Sequence, residues 1–138
     1  MTQATKAGQS AETTAVKILE SLPQLTVRLL VAMFGYQPRD LGRAGDFLGH
    51  QIQQIFSDYL EKKGLDSENF QQVKGRLQEL ECYGLVKLIK GNIDRDFLQS
   101  MFIIVVSIDT VLEANLGEGS VREELLRIIA QKEGAHVH

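Results

Sequence analysis

Cysteine, proline and tryptophan are scarce in this sequence, whose 138 residues include one cysteine, two prolines and no tryptophan. The lone Cys82 cannot form a disulfide within the chain, which fits a reducing compartment. Long apolar runs are also lacking: a stretch such as 101–106 is strand-sized, whereas a membrane-spanning helix needs about eighteen apolar residues or more. Residues 1–14 contain no apolar segment of the kind found in secretory signals. The sequence therefore predicts a single soluble domain with no membrane contact.

Motifs of catalytic and metal sites are absent as well. The sequence contains no P-loop (GxxxxGKS or GxxxxGKT), no GxSxG, no HExxH and no DxDxDG pattern. His50, His136 and His138 lack the spacing of metal ligands, and no second cysteine accompanies Cys82. No histidine lies near Cys82 in the sequence, so we expect a half-buried thiol at a helix end and not a nucleophile. We therefore expect no enzymatic activity, no metal and no cofactor.

Positive charge does not dominate the chain. It has 15 Lys and Arg against 18 Asp and Glu, a net charge of −3 and a pI of about 5.6. Domains that bind nucleic acid through their overall charge are strongly basic. Any contact with nucleic acid must therefore depend on a local group of basic residues.

The spacing of the apolar residues predicts a mainly helical chain after a disordered lead-in at 1–9. The predicted helices cover 11–21, 24–35, 47–63, the stretch between Ser67 and Gly84, a short segment at 110–116, and 121–132. A Gly-rich loop is expected at 35–46. The expected start and stop residues are Pro23, Asp46, Gly64, Asp66 or Ser67, Gly84, Ser107 or Asp109, and Ser120 with Glu123.

A polar stretch between two β-rich segments predicts a hairpin. Segments 85–89 and 101–107 are rich in aliphatic and β-branched residues, and the intervening stretch begins with the turn signal Gly91-Asn92. An isolated hairpin is only marginally stable, so the aliphatic second strand is expected to pack against the helices. We expect two strands joined by an exposed, charged tip at 90–100.

Three helices followed by a hairpin are the element order of a winged helix-turn-helix domain, which is mainly α with a small β-hairpin. The predicted domain covers residues 10–133, followed by a frayed tail at 134–138. The side chains that we expect to be buried together in its core are Leu29, Ile55, Phe56, Val73, Leu77 and Leu80.

A family resemblance accompanies this pattern. The segment LQELECYGLVKLIK, followed by a polar tip, an aliphatic strand and SIDTVLEANL, resembles the C-terminal winged-helix domain of origin-recognition-complex and related replication-initiator ATPases. VKILESLPQLTVRLLVAMF is similar to the join between the ATPase lid and that domain, so the resemblance spans residues 15–128. It implies binding to duplex DNA, partnership with other initiator subunits, and a nuclear location in a eukaryote or a cytoplasmic one otherwise. Because the P-loop is absent, the chain would be an excised domain or a stand-alone relative.

Two groups of side chains are the candidate DNA contacts. On the fourth helix, Gln and Lys opposite the apolar face can read base edges in the major groove, and Gly75 permits close approach of a backbone. On the hairpin, basic and amide side chains can lie along phosphates or enter the minor groove. The candidates are Gln71, Lys74, Gln78, Lys87, Lys90, Asn92 and Arg95. The alternative interpretation is a solvated face, with Gly75 making room for a neighbouring element.

Charge limits the affinity expected of these groups. Between residues 67 and 100, five basic residues are matched by five acidic ones. We therefore expect weak, salt-sensitive DNA binding at best. Arg39 and Arg43, in the Gly-rich loop with Asp40 and Asp46, are expected to be solvated.

Two other functions fit the same pattern. A winged helix can dock a partner subunit with little DNA affinity, and Phe97 and Leu98, apolar residues on a polar tip, would then be contact residues. A small transcription regulator would need a dimerisation helix, which the last helix could supply through Val121, Leu125, Ile128 and Ile129.

Overall fold

The computed structural model describes residues 14–36, 46–114, 116 and 119–137, and in the last range the side chains of 121–131. The expected lead-in at 1–9 and the loop residues Arg39 and Arg43 lie outside these ranges. Within them the chain is mainly helical and carries a small three-stranded antiparallel sheet. The predicted class, mainly α with a small β element, is confirmed, but the sheet has three strands where the sequence predicts two.

The elements follow one another in a mixed order. The helices are α1 (Thr14–Ser21), α2 (Gln24–Gly35), α3 (Gly49–Lys63), α4 (Phe70–Cys82), α5 (Ile108–Glu113) and α6 (Gly119–Val137). The strands are β1 (Asp46–Leu48), β2 (Val86–Lys90) and β3 (Met101–Ile104), and a 3-10 turn covers Phe97–Gln99. β3 is the central strand, in the order β1-β3-β2.

Helix α2 is the centre of the core. It starts after Pro23, as predicted, and packs against α3, α4 and α6. Its buried side chains occupy most of its circumference: Thr26, Val27, Leu29, Leu30, Val31, Ala32, Met33 and Phe34. Among the described helices, none has by itself the length and apolar composition of a membrane span; α1 and α2 together reach that composition but are bent by 118°.

Strand β1 lies where the sequence predicts the end of a loop. Asp46 does not cap a helix but pairs with Ile103 in the sheet, and Phe47, the middle residue of β1, is buried. The chain enters α3 directly at Gly49, whose N–H donates to the Ser100 carbonyl at 2.9 Å. A Cβ at position 49 would lie 1.9 Å from the Phe97 carbonyl oxygen, so only glycine fits this close approach.

Helix α4 begins with a capping box that differs from the predicted start. Asn69, and not Asp66 or Ser67, is the N-cap: its Oδ1 accepts from the Gln72 N–H, and the Gln72 side chain accepts from the Asn69 N–H, both at 2.9 Å. The two predicted glycine turns are confirmed, with Gly64 and Gly84 in the left-handed region at φ of 68° and 76°.

The tip between β2 and β3, residues 91–100, is only partly exposed. Residues 91–96 are mostly exposed, whereas Phe97 retains 2% of its surface and packs edge-on against the Phe70 ring, with centroids 5.3 Å apart. The expectation that Phe97 is an exposed partner-binding residue is therefore wrong. The 3-10 turn at Phe97–Gln99 places the Phe97 ring beneath the tip and leaves Leu98 exposed.

The C-terminal helices pack back onto the core. Ser107, one of two predicted caps, accepts from the Thr110 N–H and starts α5; the Ser120 side chain lies outside the described residues. α6 continues to Val137, past the predicted end at 132 and into the segment expected to fray. Val121 and Leu125 are fully buried in the core, so they cannot form the dimer interface that a regulator of this kind would need.

The predicted core is largely correct. Five of the six side chains expected to be buried together belong to the buried cluster, and Ile55 is half-buried against it. Ile55 is more exposed because it lines an open cleft between α2, α3 and α6.

Candidate nucleic-acid interface

The outward side of α4 carries the first group of candidates. Gln71 is exposed, and Lys74 is half-buried because its ammonium lies 5.9 Å from the centroid of the Phe70 ring. A Cβ added at Gly75 would meet no heavy atom within 4 Å. The interpretation that Gly75 makes room for a neighbouring element is therefore wrong for the part of the chain that the structure describes, where the space above it is open.

Gln78 connects α4 to the tip. Its Nε2 donates to Asp94 Oδ1 at 2.7 Å, sixteen residues further along the chain. The bond holds the tip beside the exposed side of α4, so the two candidate groups adjoin one another. It also engages one N–H of the Gln78 amide, which restricts the orientations in which that amide could reach a base.

Asn92 organises the tip itself. Its Oδ1 accepts from the backbone N–H groups of Asp94 and Arg95, at 3.0 and 2.9 Å. This side-chain turn shapes residues 92–95 without a ladder hydrogen bond. Asn92, a predicted DNA contact, is thus already committed to the local fold through its side-chain oxygen.

A bulge in β2 places two lysines on one face of the sheet. The pairs across β2 and β3 are Val86–Ile104, Lys87–Ile103, Leu88–Phe102 and Lys90–Met101, with Ile89 as the extra residue. Paired residues share a face, and faces alternate along β3. Lys87 and Lys90 therefore lie on the face opposite the buried Phe102. In a regular strand, residues three positions apart lie on opposite faces, so these two lysines share a face only because of the bulge.

Ion pairing changes the charge balance of the surface. Arg76 forms a two-bonded pair with Glu68, both bonds at 2.6 Å, and these bonds raise the pKa of the Arg76 guanidinium. Glu79 accepts from the buried Thr26 of α2 at 2.9 Å. One basic and two acidic residues of the evenly balanced stretch are thus engaged within the fold, Arg76 with Glu68 and Glu79 with Thr26. The charged side chains that remain outward are Lys74, Lys87, Lys90 and Arg95 against Glu81, Asp94 and Asp96.

A second polar cluster, which the sequence did not predict as a site, joins α6 to α2 and α3. Glu124 of α6 retains 6% of its surface and accepts from Tyr59 Oη at 2.6 Å and Arg28 at 3.3 Å, and it pairs with Lys63 at 2.9 Å. Burial, and then the bond to Glu124, raise the pKa of the Tyr59 hydroxyl far above its ordinary value. Tyr59 therefore stays a proton donor throughout the neutral range.

The sequence did contain a signal for this cluster. Val121, Leu125 and Ile128 form the apolar face of α6, and Glu124 lies three residues after Val121 and four before Ile128, which is helical spacing. A carboxylate on an apolar face is buried only with partners, which had to come from other helices.

Metal and thiol chemistry find no new support in the described part of the chain. It contains no group of three or more His, Cys, Asp or Glu side chains placed to hold a metal ion. Cys82 is exposed, which corrects the expectation of a half-buried thiol at the α4 end.

Comparisons of this chain with protein-family models, with curated proteins and with solved structures give no match.

Proposed function

We propose that the chain is a winged-helix domain that contacts duplex DNA, in the way that the resemblance to replication initiators implies. In this interpretation α2, α3 and α4 are the three core helices, and the β2–tip–β3 hairpin is the wing. The element order and the three-stranded sheet are compatible with such a domain. The proposed role is binding and not catalysis, alongside other subunits of an initiator complex.

The observation that carries the proposal is the Gln78–Asp94 hydrogen bond. It holds the tip against the exposed side of α4, which supports the proposal because the proposed groove contacts and the proposed phosphate contacts then adjoin one another. The α4–wing surface carries four outward basic side chains against three acidic ones. This small excess of positive charge supports a weak affinity for duplex DNA that falls steeply with salt. Lys87, Lys90 and Arg95 are the proposed phosphate contacts, and Gln71 and Lys74 the groove contacts.

Removing two wing charges tests the proposed phosphate contacts. We expect Lys90→Ala/Arg95→Ala to weaken duplex binding about tenfold or more at low salt, equally on unrelated sequences, because phosphate contacts carry no sequence information. The slope of log affinity against log salt should fall by about 0.9 per lost contact. Fluorescence anisotropy of labelled duplexes between low and moderate salt measures both. Lys17→Ala removes an exposed charge from α1 and should leave the slope unchanged. An unchanged affinity of the double variant at low salt would remove the DNA proposal.

Gly75→Ala is expected to affect the stability of the domain and its affinity for duplex DNA in opposite directions. Because no described residue occupies the space above it, Gly75→Ala should raise the free energy of unfolding by about 0.5–1 kcal/mol through helix propensity alone. If a DNA backbone approaches this face, the same methyl group should reduce duplex affinity. Urea unfolding and anisotropy on one preparation give both values. A more stable variant with unaltered affinity would show that α4 does not face the duplex.

A protein-docking module is the second candidate, and exposed apolar side chains on the hairpin favour it. Ile89, Leu98 and Val105 retain 40%, 41% and 55% of their surfaces. Since Phe97 is buried, Leu98 is the tip residue whose replacement by Asp should disrupt such a complex. DNA affinity would then be indifferent to Lys90 and Arg95.

A further inference from the structure

An open cleft lies between α2, α3 and α6, away from the α4–wing surface. Its volume of about 730 Å³ is within the range of small-molecule sites, roughly 300–1,000 Å³. The apolar part of its lining comes from all three helices: Val31, Ala32, Ile55 and Ile128. Gly35 also lines it, and a Cβ at this position would lie 3.4 Å from Ile128 Cδ1, so the glycine lets the Ile128 side chain approach α2 closely.

The inner polar end of the cleft is already satisfied. The Glu124 carboxylate accepts from Tyr59 and Arg28 and pairs with Lys63, so its negative charge is balanced by two cations. Tyr59, Lys63 and Glu124 all line the cleft. The polar side chains at this end are therefore held in place by one another, and the Glu124 carboxylate is paired and does not repel an anion.

Two further cations line the cleft without such balance. Lys62 and Arg127 are exposed, and neither makes a hydrogen bond or an ion pair with another described residue. The remaining lining carboxylate, Asp58, accepts from Gln54 at 2.9 Å on the same helix. Three basic side chains therefore line the cleft (Lys62, Lys63 and Arg127) against two carboxylates (Asp58 and Glu124), next to its apolar residues. The group that complements this arrangement is an anionic head joined to an apolar body.

We propose that this cleft binds a small organic anion with an apolar or aromatic body, of the aromatic carboxylate or sulfonate class. The body lies on Ile55 and Ile128, and the head group meets Lys62 and Arg127. The proposal does not depend on DNA binding, since none of the candidate DNA-contacting residues lines the cleft.

Titration with 1-anilinonaphthalene-8-sulfonate, followed by fluorescence and calorimetry, tests the proposal. We expect one saturable site with a dissociation constant on the order of 10–100 µM, as befits an unoptimised ligand of this size. N-phenyl-1-naphthylamine, which has a similar body and no sulfonate, should bind at least about tenfold more weakly because it lacks the charged contact.

Matched charge reversals locate the site. Lys62→Glu and Arg127→Glu should each weaken sulfonate binding about tenfold or more, whereas Lys17→Glu, the same charge change on an exposed position of α1 outside the cleft, should not. All three positions are on the surface, and a cooperative urea transition checks that each variant is folded. Non-saturable binding, several equivalent sites, or equal affinity in the three variants would overturn the proposal.

Discussion

Replacing Leu77 with Ala is expected to lower the free energy of unfolding by about 2–5 kcal/mol, the usual cost of truncating a core leucine. Leu77 has no exposed surface and belongs to the buried cluster that joins α4 to the central helix α2. The loss comprises the transfer energy of the removed methyl groups and the cavity that they leave. Since small domains are stable by only about 5–15 kcal/mol, the urea midpoint should fall clearly.

The matched control is Leu126→Ala in α6. Leu126 is also a helical leucine but is largely exposed, so the same substitution should change stability by about 0.5 kcal/mol or less. Equal urea midpoints for the Leu77 variant and the parent protein would show that α4 presents a different face to the core. The slope of the transition should stay constant, because a changed slope would report on the unfolded state instead.

Glu124→Ala is expected to cost about 3–5 kcal/mol, the usual penalty for removing one partner of a buried ion pair. The carboxylate links α6 to α2 and α3, and its loss leaves the Tyr59 hydroxyl and the largely buried Arg28 without this acceptor. Urea unfolding at moderate salt measures the loss, which salt should change only slightly because the side chains of Glu124 and Arg28 retain only 7% and 12% of their surfaces.

Glu123→Ala is a close control for this prediction. Glu123 is the preceding residue, is exposed, and loses the same charge from the same helix. We expect a change of about 0.5 kcal/mol or less for it. If both substitutions had the same small effect, the Glu124 cluster would contribute nothing measurable, and the packing of Val121 and Leu125 alone would hold α6 in place.

Local signals in the sequence determined most of the helices. An apolar period of 3.6 residues reflects a face buried against neighbours, whatever those neighbours are, so α2, α3 and α4 were predictable within a few residues. Gly64 and Gly84 were predictable as helix ends for a similar reason, because a left-handed backbone strongly favours glycine. Ser107 as a cap likewise needs only the adjacent turn.

Features that depend on pairing between distant residues were not predictable. β1 is three residues long, and it exists because Phe47 and its neighbours pair with residues about fifty-five positions later. The bulge at Ile89, which brings Lys87 and Lys90 to one face, depends on the register with β3. Phe97 appeared exposed because most residues of the tip are polar, and its burial follows from packing near the Phe70 and Phe102 rings.

The sequence by itself determined where the helices and the hairpin form and which residues carry charge, because helix periods, caps and turns depend on neighbours in the chain. Only the tertiary structure decided which charges face solvent. Arg76 pairs inward with Glu68, and Glu124 is enclosed by Tyr59 and Lys63, so the count of charges along the chain describes neither the α4–wing surface nor the cleft. The physical reason is that a buried charge needs partners, and here those partners lie on other helices or in the loop preceding α4.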